Sequence, residues 1–476
     1  MTMVILFRYN GSAMLELSDD LVRVFDSDDE EEPPPSAVLE KSIIDFDFVQ
    51  FLIDKNLNHV AGAIFAELDP KTLRAASFTC RKWRQVIFEE KVWYTVFMKK
   101  IKTSTIWADL AECNGWEKIK SADNLTPKQR AMKCRHLCNV IEQQIQNTTN
   151  NWNVGRYTLI RAIHPPNTVV SCLRVDETRV LSVIGNLIQV RDRARYLRCE
   201  KLEGHECKVL ALQFHAQLAV SADNEGYIKF WCLETKKSIY SMQNDDAVAI
   251  NDLRFRDEIL VTGDNVGIIG IWAMNLPSEV TLIQNLIGHE GSITCLDLSD
   301  KMLVSGCTSC VVKVWSMETR ENLYTLLGHT ERINCIKLSN NLIVSGSADK
   351  TARIWNAESG ICMRVLVGHT GAVTAVTFND VRLITGASNG YMKAWNMKAA
   401  LDPHKRSEYL CTYTLHEHSS AVTNILCDEF HMFSCASDNA IIFWNFLCHK
   451  FLTNNWYSRV LTIACDQVTM GVNLEL

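Results

Sequence analysis

Five histidines, His205, His289, His329, His369 and His418, head repeated segments of the chain, and four of them follow a glycine. In the clearest segment, GHTERINCIKLSNNLIVSGSADKTARIWN, His329 is followed by Ser345, Asp349 and Trp355. A histidine, a hydroxyl and a carboxylate are the parts of a base-activated nucleophile. A catalytic set is needed once, however, and similar placements recur segment after segment. They fit better as an internal hydrogen-bond chain that pairs buried polar groups and pins a turn. Among the 18 cysteines, Cys307 with Cys310 and Cys134 with Cys138 have metal-like spacing, but neither has a second pair at zinc-finger distance. Buried or incidental thiols explain them better. The chain has no Gly-x-x-x-x-Gly-Lys-Ser/Thr phosphate loop, no Gly-x-Ser-x-Gly elbow and no cysteine nucleophile motif, so we expect no catalytic residue, metal or cofactor.

At 476 residues the length fits roughly three domains, or a small domain and a large repeat. The net charge of −6 is unevenly placed. Residues 1–36 hold nine acids against two bases, which leaves the remainder near neutral. A neutral body lacks the basic stripe that nucleic-acid binding needs. No apolar run approaches the ~18–20 residues of a membrane span, and the apolar part of MTMVILFRYNGS is too short for a signal peptide. The thiols are therefore expected to be reduced, in the cytoplasm or nucleus.

The elements that position these residues divide the chain. Residues 1–41 end in DSDDEEEPPPSAV and read as a solvated acidic tail. Ser27 and its neighbours would suit an acidophilic kinase, but an inert acidic tail accounts for them better. Over 42–98 the period is helical. Leu57, Val60, Ala61, Ile64, Phe65 and Leu68 form one amphipathic stripe, Asp69-Pro70 breaks it, and a second helix carries Leu73, Ala76, Phe78 and Cys80. Trp83, Val86, Trp93, Phe97, Trp107 and Trp116 continue through shorter helices. A helical linker over 99–149 ends in a helix at 127–147, with Met132, Leu137, Val140, Ile141 and Ile145 on its inner side.

Beyond 165 the period shortens to alternating runs bounded by turn residues. Trp231, Trp272, Trp315, Trp355, Trp395 and Trp444 close them at intervals of 41, 43, 40, 40 and 49. A Gly-His start, a tryptophan end and a period of ~40–45 mark WD-repeat propeller blades. The segment 171–192, with Arg191 in the tryptophan's place, supplies a degenerate further unit and brings the number to seven. A ring must close, so 150–163 is predicted to give the outer strand of the last blade and protect its open edges. The predicted fold is therefore α plus all-β: a small helical domain and helical linker, then a seven-bladed propeller over 150–446 and a tail over 447–476.

The helical segment resembles an F-box, through Leu52, Leu57, Val60, Ile64, Leu68, Leu73, Cys80, Trp83 and Trp93. With DFDFVQFL, CRKWRQV, NWNVGRYTL, KAWNMKAALDP and FWNFL in order, residues 45–446 are similar to the beta-transducin-repeat-containing group of F-box/WD-repeat proteins. The resemblance implies a non-catalytic subunit of an SCF-type ubiquitin ligase. Its F-box would bind a Skp-family adaptor and, through it, a cullin and a RING protein. Its propeller would hold a protein substrate, phosphorylated or not, for proteasomal degradation. Such a receptor raises the local concentration of a substrate lysine near the charged conjugating enzyme. The other function that fits is a WD-repeat scaffold whose F-box no longer docks.

Three departures from the group stand out. Its Leu-Pro at the F-box start is Leu52-Ile53 here, which weakens a preset turn. Its helical dimerisation segment is replaced by the acidic, proline-interrupted start, so dimerisation by that route is not expected. Its phosphate-binding arginines, serines, tyrosines and lysine are mostly changed: Ser171, Lys208, Asn224, Asn265 (for the lysine), Cys310, Glu331, Thr374, Ser388 and Ala421 stand in their places, and the blade-one arginine falls within Val183-Ile184-Gly185. Each lost charge-assisted bond is worth about 1.5–3 kcal/mol. We therefore expect a more neutral substrate face, contacted by Lys208, Asn224, Asn251, Asn265, Thr294, Arg332, Asn334, Thr374 and Ser388.

Overall fold

The computed structural model describes residues 4–7, 13–16, 48–89, 92–113, 126–163, 169–176, 178–193, 199–244, 247–405 and 410–447. The acidic run at 26–32, Trp116 and residues 448–476 lie outside them. Within the segment read as a solvated tail, Val4–Phe7 pairs antiparallel with Ala13–Glu16.

Helices α1 (Phe48–Asp54), α2 (Asn58–Ala66), α3 (Pro70–Thr79), α4 (Arg81–Glu89), α5 (Val92–Thr103) and α6 (Thr105–Cys113) precede a long α7 (Pro127–Val154). Asp69 caps α3, accepting bonds from the Lys71 and Thr72 backbone N–H groups, and Pro70 takes the first helical position. Ala61, Phe65, Leu73, Val86, Ile87, Trp93 and Phe97 close the core against Cys134, Leu137, Cys138 and Ile141 of α7.

Three expectations for the helices need correction. Phe78 is 63% exposed and Met132 57% exposed, so neither is an inner residue. Ala131 and Cys134 take the buried side of that turn, leaving Met132 outside. The linker does not end at 149, because α7 continues to Val154. A capping box between Thr126 and Gln129 starts it, and Gly155, left-handed at φ 72, ends it. The following strand therefore begins at Thr158, not at 150.

Seven four-stranded antiparallel sheets follow, numbered here as blades one to seven by their inner strands: Val170–Val175, Val209–His215, Ile250–Arg256, Ile293–Leu298, Ile333–Ser339, Val373–Phe378 and Val422–Cys427. Blade one runs 170–202, with Arg191 opposite Val180. Thr158–Ile163 pairs with Ala440–Asn445 as the fourth strand of blade seven, so the first propeller strand in the chain completes the last sheet. Thr423 Oγ1 donates to the Val170 carbonyl at 3.0 Å, and Asn424 Nδ2 donates to that of Leu173 at 3.2 Å, joining blade seven to blade one.

Blades pack knob into hole. A Cβ added to Gly306 would come within 2.7 Å of Ile333, and one added to Gly346 within 2.5 Å of Val373. In both cases the β-branched side chain of the next blade's inner strand fills the space that glycine leaves.

Candidate functional site

The sequence points to two surfaces, one on the helices and one on the propeller. On the helices, Leu52 and Leu73 are fully buried. As adaptor contacts they are corrected: they shape the domain from within and present nothing to a partner. Cys80 is committed locally, since its thiol lies 3.5 Å from Gln50 Oε1 and its sulfur accepts from the Trp83 backbone N–H at 3.3 Å. Trp83 meets Phe65 edge to face at 5.2 Å. Val60, Ile64 and Leu68 are half-buried against the core, and Leu57 is 37% exposed at the head of α2. Phe51 of α1, not singled out in the sequence, is also exposed. Ile53 lies buried inside α1, which runs through it without a turn.

On the propeller, the histidines do structural work. In blade five, His329 Nδ1 is 2.7 Å from Asp349 and Nε2 is 2.9 Å from Ser345 Oγ, which accepts from Trp355 Nε1 at 2.8 Å. Blades two (His205, Ser221, Asp223, Trp231) and seven (His418, Ser434, Asp438, Trp444) repeat the set. Burial works against the Asp349 carboxylate, but hydrogen bonds from Thr351 and His329 outweigh it and hold its pKa below the ordinary value.

Blades four and six keep only part of the set. His289 bonds Ser305 and His369 bonds Thr385, while the Nδ1 atom of each is buried without a partner. Ser309 and Asn389 stand where blade five has Asp349. Burial, helped by Lys313 and Lys393, pushes these two imidazoles down to about 4. They are neutral at pH 7.

The loops from each outer strand to the next inner strand, and those from second to third strand, lie on one face of an antiparallel meander ring. Lys208, Asn224, Asn265, Arg332 and Ser388 are exposed in these loops. Asn251, Thr294, Asn334 and Thr374 are instead half-buried on the inner strands. Asn251 donates to the Ile293 carbonyl at 2.8 Å, Asn334 to that of Val373 at 2.8 Å, and Thr374 to that of Val422 at 2.5 Å. Together with Thr423 they form a belt of bonds from one blade to the next. Thr294 donates within its own blade, to Gly306. As free substrate contacts these four are corrected, because three of the donors already join one blade to the next and that of Thr294 is taken up within its own blade. The sequence signal was available: each follows the β-branched residue that opens an inner strand.

Deeper in the channel Arg254 bridges Asp252 at 2.6 Å and Asp297 at 3.4 Å, and Lys337 lies 3.1 Å from Asp297. Burial opposes the Asp297 charge, but Lys337 and then Arg254 prevail and keep it ionised. The cations of this ring are thus spent on its own carboxylates.

The helices and the propeller share one helix. The first half of α7 is buried with the other helices, and its end enters the propeller, where Trp152 stacks on Phe446 and its Nε1 donates to the Glu429 carbonyl at 2.9 Å. Residues 58–99 match the family model described as F-box-like. Residues 280–316, 320–356, 360–396 and 409–445 match that of the WD domain, G-beta repeat. The chain carries an F-box-like segment ahead of WD repeats. It is 32% identical over 171 residues to F-box and WD repeat domain-containing 11-A of Danio rerio. That stretch takes in 35% of this chain and 30% of the relative, so the chain spans about a third of the relative's length. The crystal structure of the computationally designed Ika8 protein matches 60% of this chain and 98% of its own, at 23% identity and a TM-score of 0.49.

Proposed function

We propose that the chain is a non-catalytic substrate receptor of an SCF-type cullin–RING ubiquitin ligase. The helical end docks a Skp-family adaptor, and through it the cullin and RING protein, while the propeller face holds a protein substrate. The observation that carries this is α7. With one end packed among the F-box-like helices and the other in blade seven, it sets a fixed separation between the docked machinery and the cargo. Its 28 residues span about 42 Å. A fixed geometry raises the effective concentration of a substrate lysine at the conjugating enzyme.

The exposed loop residues Lys208, Asn224, Asn265, Arg332 and Ser388 are the proposed substrate contacts. With two cations among five, this face suits a substrate recognised without a cluster of phosphates. A fluorescence-polarisation panel of phosphorylated and plain peptides tests that point: tight binding of a doubly phosphorylated peptide refutes it. Capture of the adaptor and cullin by the full chain tests the role itself. The second function, a propeller scaffold, is favoured by Ile53, buried where the group has proline. Failure to capture the adaptor would leave that function standing.

A further inference from the structure

Three arginines of the helical domain, Arg74, Arg84 and Arg135, lie together around Phe78. Phe78, at the end of α3, has two guanidinium groups over its ring, Arg84 of α4 at 5.5 Å and Arg135 of α7 at 5.7 Å. Arg135 also lies 5.3 Å from the Phe88 ring. Arg74, one turn before Phe78, belongs to the same group: burial, then Arg74 and Arg84, pull the Arg135 guanidinium below its ordinary pKa. One carboxylate answers the three, Glu142, 2.9 Å from Arg74. Among the residues whose side chains are described, no carboxylate lies within ion-pair distance of Arg84 or Arg135. Arg74 Nε is buried without a hydrogen-bond partner. Met132, one turn before Arg135 on α7, is exposed as well.

Like charges held together over an exposed aromatic ring are relieved by an anion, and guanidinium forks match carboxylates best. The apolar ground asks in addition for an aromatic or aliphatic anchor. The chain itself contains a segment of this chemistry. Phe25 adjoins Asp26, Asp28, Asp29 and Glu30 to Glu32. The helical region 42–149 is the basic counterpart, with 16 Lys and Arg against 12 Asp and Glu. Fifteen residues lie between Glu32 and Phe48, the start of α1, and the sixteen steps at ~3.3–3.6 Å each reach up to about 55 Å, farther than α7 is long.

We propose that the segment Phe25–Glu32 docks on the cluster formed by Arg74, Phe78, Arg84 and Arg135, as a contact within one chain. Tethering supplies an effective concentration on the order of 1 mM, enough to populate a contact that would be weak between separate molecules. A phosphate on Ser27 would add oxygens suited to the same guanidinium groups.

The test compares two full-length chains, the wild type and a variant with Asp26, Asp28 and Asp29 changed to Asn and Glu30, Glu31 and Glu32 to Gln. The probe is a fluorescent peptide of residues 23–36, read by anisotropy. The peptide is expected to bind the neutralised chain about tenfold more tightly than the wild type, whose own segment occupies the cluster. Adding Arg84→Ser and Arg135→Ser to the neutralised chain should weaken binding at least tenfold. Equal binding to both chains, no binding to the neutralised chain, or indifference to the arginine changes would each overturn the proposal. Should the arginine variant not fold, the first comparison decides alone, since its substitutions leave the helices untouched.

Discussion

Trp152 and Phe446 stack with ring centroids 3.5 Å apart and planes 13° from parallel, one from the end of α7 and the other from the end of blade seven. The Arg382 guanidinium covers Trp152 at 4.4 Å from the ring centroid, and Asn151 Nδ2 donates to the Phe446 carbonyl at 2.8 Å. These contacts fasten the helical end of the molecule to its propeller.

Trp152→Ala empties a fully buried site and removes the stack, the cation–π contact and the bond to Glu429. A loss of roughly 3–5 kcal/mol is expected. Limited proteolysis should then cut near Gly155 while the propeller fragment stays intact. Unchanged melting and cleavage would show that the joint is held elsewhere.

Leu57 and Leu73 separate docking from folding. Leu57→Asp alters a partly exposed residue and is expected to abolish adaptor capture with melting changed by no more than a few degrees. Leu73→Asp buries an unpaired charge and should unfold the helices outright. Loss of helical circular dichroism in both variants would remove Leu57 from the docking surface.

The incomplete hydrogen-bond chains of blades four and six predict an acid-sensitive window. The His289 and His369 imidazoles are held at about 4 by burial, against an ordinary value of ~6.5. As pH falls, the unfolded chain takes up these protons first. Stability is therefore complete above pH ~6.5, declines down to about 4, and loses no more from these two groups below that. Each removes up to about 1.4 kcal/mol per pH unit inside the window. Urea midpoints at pH 7, 5.5 and 4.5 measure it.

Ser309→Asp with Asn389→Asp should rebuild the blade-five arrangement. A carboxylate beside each orphaned Nδ1 satisfies a buried donor, worth about 1–3 kcal/mol per site at pH 7. It also supports the imidazolium, so the acid window should narrow. A double variant less stable than wild type at pH 7 would contradict the parallel with Asp349.

Much of this architecture was legible in the sequence, because each blade repeats one solution to burying a sheet. The tryptophan spacing writes that solution six times and the Gly-His start four times, with Arg191 as the exception that packing tolerates in blade one. Exposure was less legible. Phe78 and Met132 satisfy a helical apolar period, yet α3 and α7 pack through the neighbouring Ser77 and Ala131, and apolar periodicity does not distinguish a core residue from one a single position away. The belt of Asn251, Asn334 and Thr374 was misread for a related reason: a polar residue facing a channel looks alike in sequence whether it awaits a ligand or bonds the next blade. The extent of α7 depended on Gly155 reaching a left-handed cap against Tyr413, a contact across more than 250 residues.

The receptor function requires that the helical end grip a Skp-family adaptor while the propeller is folded behind it. Isothermal titration of a purified Skp-family adaptor into the purified full chain measures this directly. We predict a one-to-one complex that Leu57→Asp eliminates and that substitutions at Lys208 and Arg332 leave unchanged. A folded chain that takes up no adaptor at micromolar concentrations would contradict the receptor function.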